Sequence, residues 1–308
     1  MAATTETWRV GAIMNEPMSE VLRFCAWYLE LGAEEVVVCF DNPADPAIEA
    51  LQHHPQLRLI PCTDEFWDQA GIAPDAAFVK RQNAAMTHIY QVYSDGWFLN
   101  VDADELLFFK QGTIQDLLRQ VPADAISARI QTAERLNTVD GEATHAFRLP
   151  MAYQQRKQIY GDDAILFGPR REGLVGHSQG KSIVRCGEPG LRLRQHWPRW
   201  GREGDAREVV FGAASGAFLL HLIGEDYDIW RSKLAWRCAS RGFTTSLTER
   251  IEALLAAGAA DEPLRDMFAR LHGATDDRLD RMRAAGALLE VSLDLDELVA
   301  RHLPGVVG

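Results

Sequence analysis

The 308-residue sequence predicts an α/β protein with a mostly parallel central sheet flanked by helices and a C-terminal helical annex. Three observations predict it. Strand-like and helix-like stretches alternate as βαβαβ through the first part of the chain. Val36-Val37-Val38-Cys39-Phe40 is apolar without a break, the pattern of a strand buried on both faces. Beyond residue 242 the periodicity is helical only, so 1–242 is expected to form the main domain and 243–308 the annex.

Taken in order, 8–14 is a strand stopped by Asn15-Glu16-Pro17, with Pro17 opening a helix that Asn15 or Glu16 caps. Met18, Val21, Leu22, Cys25 and Leu29 form the apolar stripe of that helix, and Gly32 closes it. The strand 36–40 ends in Asp41-Asn42-Pro43, a short helix spans 45–53, and 57–60 is a third strand. A helix over 78–93 places Val79, Met86, Tyr90 and Tyr93 on one face, with Lys80, Arg81, Gln82 and Asn83 in its first turn. Basic and amide side chains at a helix N-terminus suit a diphosphate.

The stretch from Gly96 to Phe108 is the centre of the reading. Trp97, Phe98, Leu99 and Val101 are strand formers that run into Asp102, Asp104 and Glu105. In a strand Asp102 and Asp104 share a side, about 7 Å apart, and two such carboxylates need positive charge between them. A hard cation, Mg²⁺ or Mn²⁺, is the common solution beside phosphates. In parallel sheets ligands sit at the carboxyl ends of strands, where Asn15-Glu16, Asp41-Asn42 and Asp102–Asp104 all fall.

Composition narrows the class. A net charge of −12 and pI near 5.2 argue against a nucleic-acid groove. No apolar run approaches the roughly 18 residues of a membrane span, and the N-terminal residues do not read as a signal peptide. Cys25, Cys39, Cys62, Cys186 and Cys238 are scattered without a Cys-x-x-Cys, as expected of reduced thiols in a cytoplasmic protein.

The ordered set of Asn15-Glu16, Trp27-Tyr28-Leu29 before Leu31-Gly32-Ala33, Val37-Val38-Cys39-Phe40-Asp41-Asn42, Lys80-Arg81-Gln82-Asn83 and Trp97 to Leu106 resembles the family 2-like glycosyltransferases of GT-A fold. The resemblance covers roughly the first 110 residues. It implies a nucleoside diphosphate sugar donor, a glycan or lipid-linked acceptor, and Mn²⁺ or Mg²⁺ as cofactor. Asn15 and Glu16 would lie beside the nucleotide, Asp41 at its base or ribose, and Lys80 and Asn83 along the sugar nucleotide. Asp102 would face the ribose or the metal, and Asp104 would be the principal metal ligand, with Glu105 behind it. In such enzymes a late histidine completes the metal site. His221, in the apolar strand 217–223, is preferred to His196 and would tilt the choice toward manganese.

The second half is less patterned. A helix over 113–120 and a strand over 125–130 precede a loop-like segment, 131–150. Glycosyl transfer with inversion needs a carboxylate base, for which Glu134, Asp162, Asp163 and Glu172 are the candidates. Gly180-Lys181-Ser182 leads a late strand; it is not a phosphate-binding P-loop, because Val175 stands where the first glycine belongs. Lys181 is instead a candidate ligand for diphosphate or acceptor. A helix is expected over 226–241, then short amphipathic helices to 289 that cover the sheet or make a homodimer contact. The competing readings are a non-catalytic sugar-nucleotide-binding or scaffold protein on the same fold, a phosphohydrolase, which Asp102-Ala-Asp104-Glu-Leu does not favour, and nucleotidyl transfer.

Overall fold

The computed structural model describes residues 6–137, 144–200, 207–224, 226–240, 242–258 and 261–306. In chain order the elements are β1 (Trp8–Met14), α1 (Met18–Glu30), β2 (Glu35–Phe40), α2 (Pro46–Leu51), β3 (Leu57–Pro61), α3 (Asp64–Ala70), α4 (Phe78–Tyr90), β4 (Trp97–Asn100), β5 (Glu105–Phe109), α5 (Ile114–Arg119) and β6 (Ser127–Ile130). They continue with β7 (Thr132–Arg135), β8 (Thr144–Arg148), α6 (Tyr153–Tyr160), a 3₁₀ turn (Gly161–Phe167), β9 (Lys181–Arg185), β10 (Leu191–Arg192), β11 (Arg199–Trp200), β12 (Glu208–Phe211) and β13 (Ala217–His221). The last are α7 (Tyr227–Ser232), α8 (Leu234–Ala239), α9 (Thr245–Ala256), α10 (Asp261–His272), α11 (Asp276–Ala284), β14 (Leu288–Ser292) and α12 (Leu295–His302).

The chain forms two compact units, and neither matches a boundary at residue 242. The first comprises 1–131, 180–219 and 294–308; the second comprises 132–179 and 220–293. The physical reason is long-range pairing that composition does not reveal. β14 pairs antiparallel with β8, so the expected all-helical annex contains a strand. α12 returns to the first unit and packs on α1.

The first unit is built on a seven-stranded sheet, β12-β6-β9-β4-β1-β2-β3. β1 pairs parallel with β2 and β4, β2 with β3, and β6 with β12; β9 runs antiparallel between β4 and β6. The expected mostly parallel sheet is therefore present. Successive strands run outward from β1 to β3, and the chain then returns to place β4 on the other side of β1. That reversal makes the β1–β4 boundary a topological switch point, where a crevice opens at the carboxyl ends.

Two glycines are required by close approach. A Cβ on Gly11 would lie 2.5 Å from the Phe98 ring, and one on Gly180, at φ +71°, would lie 1.9 Å from the Ile130 carbonyl oxygen. Gly180 thereby lets β9 enter the sheet beside β6.

Helix α1 buries more than the expected stripe, because α12 covers a second face of it. It begins at Met18 with Pro17 as its N-cap and no side-chain cap, so neither Asn15 nor Glu16 caps it. On α4 the buried face is Gln82, Ala85, Met86, Ile89 and Tyr90; Val79 is exposed.

In the second unit β7, β8 and β14 form an antiparallel run. Trp230, Phe268, Leu271, Ile251, Tyr160 and Phe167 belong to a hydrophobic core of this unit. The segment expected to be loop-like thus contains two strands. The helix expected over 226–241 is broken at Lys233 into α7 and α8, and its last residue, Arg241, lies outside the described residues.

Candidate functional site

Three adjacent parallel strands end at one edge of the first unit's sheet. Exposed Asn15 and half-buried Glu16 follow β1, Asp41 follows β2, and Asp102 and Asp104 follow β4. The backbone joins these ends: the Asp41 amide donates to Met14 O at 2.9 Å and the Val101 amide to Gly11 O at 3.2 Å.

The acids after β4 are not arranged as a continuing strand would place them. β4 stops at Asn100, the chain turns through Ala103 and Asp104, and β5 begins at Glu105. The carboxylate brought beside Asp102 is therefore that of Glu105. Its Oε2 accepts the Asp102 amide at 2.8 Å. The positive charge between them is a lysine. Lys181 Nζ lies 2.9 Å from Asp102 Oδ2 and 3.2 Å from Glu105 Oε2, with the Lys181 and Glu105 side chains fully buried and that of Asp102 34% exposed. Asp102 Oδ1 also accepts from Gln82, whose own carbonyl accepts from Gln195 at 3.1 Å.

Burial alone would lower the Lys181 pKa, but Asp102 and Glu105 outweigh it and raise it well above the usual lysine value. The ammonium is charged at every working pH. Lys181 is paired with Asp102 and Glu105 within the protein, and both oxygens of Asp102 accept from protein donors.

Helix α1 fixes this turn from behind. Tyr28 donates its hydroxyl to Glu105 O at 2.9 Å and accepts from the Leu107 amide at 3.2 Å, while Trp27 Nε1 donates to Leu107 O at 2.8 Å. Asp41 is held by both terminal nitrogens of Arg81, Nη2 at 3.0 Å, and the guanidinium lies 5.3 Å from the Trp67 ring centroid. Lys80 and Asn83 line a cavity of about 910 Å³ on the outer face of α4 together with Arg192, Arg194 and Arg199. None of Asn15, Glu16, Asp41, Asp102 and Asp104 lines that cavity.

The second unit holds the remaining predicted residues. Glu134 is a buried strand residue on β7, paired in register with Arg148 on β8. Arg148 Nε and Nη2 approach Glu134 Oε2 at 3.0 and 2.9 Å, and the Val175 amide donates to it at 2.7 Å; the Gly176 amide donates to Oε1. Burial would raise this carboxyl, but Arg148, His221 and the two amides prevail and hold it below the usual carboxylate range. A carboxylate so stabilised is a weak proton acceptor, so Glu134 is better suited to holding the 175–176 backbone than to acting as a base. Asp163 is likewise taken by Arg270, whose Nε lies 3.0 Å from Oδ2. Glu172 is exposed and has φ 52°, the one non-glycine residue at positive φ among those described. His221 ends β13, stacked on His177 at 5.7 Å between ring centroids, with one ring nitrogen of each within 4.8 Å of the other. His196 lies in the first unit with Nδ1 3.1 Å from Gly180 O.

Sequence reasoning missed Gln82 and Gln195 as partners of Asp102, Arg148 as the partner of Glu134, and the arginines of the cavity. Only the last carried a signal, the alternation of Arg192 and Arg194 in a strand-like run.

No family model and no curated protein matches the sequence. Among solved structures, HddC from Yersinia pseudotuberculosis aligns over 73% of this chain and 97% of its own, at 10% identity and TM-score 0.37. A 4-diphosphocytidyl-2C-methyl-D-erythritol synthase aligns over 45% of this chain and 66% of its own, at 14% identity and TM-score 0.29.

Two outcomes follow from the buried pairs. Lys181→Met leaves two carboxylates uncompensated and is expected to cost about 3–5 kcal/mol in denaturant unfolding, against a smaller loss for Asp102→Asn. Glu134 has a depressed folded pKa, so its stabilisation is present above the ordinary carboxylate pKa and is lost as pH falls through the folded value. Below about pH 4.5 the wild type should therefore lose stability more steeply than Glu134→Gln, measured as melting temperature against pH.

Proposed function

We propose that this chain is a GT-A-type glycosyltransferase that moves a sugar from a nucleoside diphosphate sugar to a glycan or lipid-linked saccharide. The observation that carries the reading is the convergence of Asn15, Glu16, Asp41, Asp102 and Asp104 at the carboxyl ends of β1, β2 and β4, around the switch point of a parallel sheet. The ordered motifs through the first 110 residues support the same reading.

In this reaction the bond from the anomeric carbon to the diphosphate oxygen breaks, the acceptor hydroxyl oxygen bonds to that carbon, and its proton passes to a base. Asn15 and Glu16 would border the nucleotide and Asp41, fixed by Arg81, its base or ribose. Asp102, neutralised by Lys181, is an acceptor for a ribose hydroxyl instead of a second source of negative charge beside the diphosphate. Asp104 is the residue that would hold Mn²⁺ or Mg²⁺. One carboxylate with phosphate oxygens and water is an ordinary ligand set for such an ion. When bound, the ion offsets charge on the departing diphosphate.

One observation favours the non-catalytic alternative, a sugar-nucleotide-binding protein: Glu134 and Asp163, two of the four base candidates, are bound up in ion pairs. Thermal shift with UDP, GDP, CDP and dTDP, in Mn²⁺ and in chelator, separates the readings from no function at the strand ends. One nucleotide should raise the melting temperature in Mn²⁺ and fail to do so on Asp104→Ala. Donor hydrolysis or transfer by the same protein supports the enzyme, and binding without turnover supports the alternative. No response to any nucleotide would remove the donor site.

A further inference from the structure

The cavity on the outer face of α4 lies within the first unit, and none of the strand-end acids Glu16, Asp41, Asp102 and Asp104 lines it. Its volume, about 910 Å³, suits a small molecule with one or two charged groups. Its charge is one-sided. Lys80, Arg192, Arg194 and Arg199 line it, and among the described residues no aspartate or glutamate does, in a chain whose net charge is −12. None of the four cationic side chains makes an ion pair or hydrogen bond with any described residue, whereas most arginines of the described chain are paired.

A further detail points to an anion. Arg192 on β10 stands directly opposite Arg199 on β11 in an antiparallel ladder two residues long. Like charges in that position repel across the strands unless a negative group lies between them. Asn83, with its side-chain amide, is on the wall formed by α4.

We propose that this cavity binds a phosphorylated small molecule, with its phosphate between Arg192, Arg194 and Arg199 and a hydroxyl-bearing part toward Lys80 and Asn83. Guanidinium forks match phosphate oxygens in geometry as well as charge. The phosphate could belong to a nucleoside diphosphate or to a sugar phosphate, and the ligands tested distinguish the two. The proposal does not require glycosyl transfer at the strand ends.

The test is calorimetric titration of the full chain, without added metal, with inorganic pyrophosphate, UDP and glucose 1-phosphate. The variants are Arg192→Gln/Arg194→Gln, Lys80→Gln and Asp104→Ala. At least one ligand should bind the wild type, weaken about tenfold or more in the double variant and less in Lys80→Gln, and stay unchanged in Asp104→Ala. Preference for glucose 1-phosphate over UDP assigns a sugar phosphate, and the reverse assigns a nucleotide. Lys80→Gln changes an exposed helix residue and keeps the test valid if the double variant loses its melting transition. Absence of binding by all three ligands would overturn the proposal. So would binding that ignores the Arg and Lys variants, or that is lost in Asp104→Ala, which would place the anion at the strand ends.

Discussion

A single buried ammonium organises the acidic edge of the first unit. Lys181 stands at the start of β9, in the sheet between β4 and β6, and is shared by Asp102 and Glu105. Without it, a fully buried glutamate would face a second carboxylate, and the turn after β4 could not close as it does. Breaking such a pair is costly because the surviving charges keep their desolvation penalty and lose its compensation. The glycine before the lysine belongs to the same device, since any side chain at Gly180 would strike Ile130 and push Lys181 away from the carboxylates.

The turn is fixed from two further directions. Tyr28 and Trp27 tie the first residues of β5 to α1, and Gln82 on α4 holds the other oxygen of Asp102. Sheet, helix and crossover thus converge on one residue and leave little freedom in where Asp102 presents its edge. Asp104 sits one turn position further on, half-buried. The two aspartates of a short motif therefore do different work. One is neutralised from inside the protein, and the other is the candidate for a cation brought with the ligand.

The sequence made the parallel half of the fold legible because its signals are local. The apolar run 36–40 could only be a doubly buried strand, and Pro17, Asp45 and Gly32 mark helix ends within a residue or two. What stayed hidden depends on partners far along the chain. Lys181 meets Asp102 across 79 positions, and Arg148 is opposite Glu134 only through the register of β7 and β8. The spacing of Asp102 and Asp104 suggested a shared metal under the assumption that the strand continues; once it stops at Asn100, the same acids face other partners. α12 over α1 and β14 beside β8 were invisible for the same reason. Of the predicted site, the strand-end residues share an edge, while Lys80 and Asn83 belong to the outer cavity.

The central claim is that Lys181 neutralises Asp102 at the end of β4, on the edge proposed to bind a nucleotide. Anomalous scattering from crystals grown with Mn²⁺ and the nucleotide that stabilises the protein would test it directly. The account predicts a manganese peak beside Asp104 and the diphosphate, with Lys181 still paired to Asp102 and Glu105. A peak coordinated by Asp102, with Lys181 displaced from it, would contradict the account.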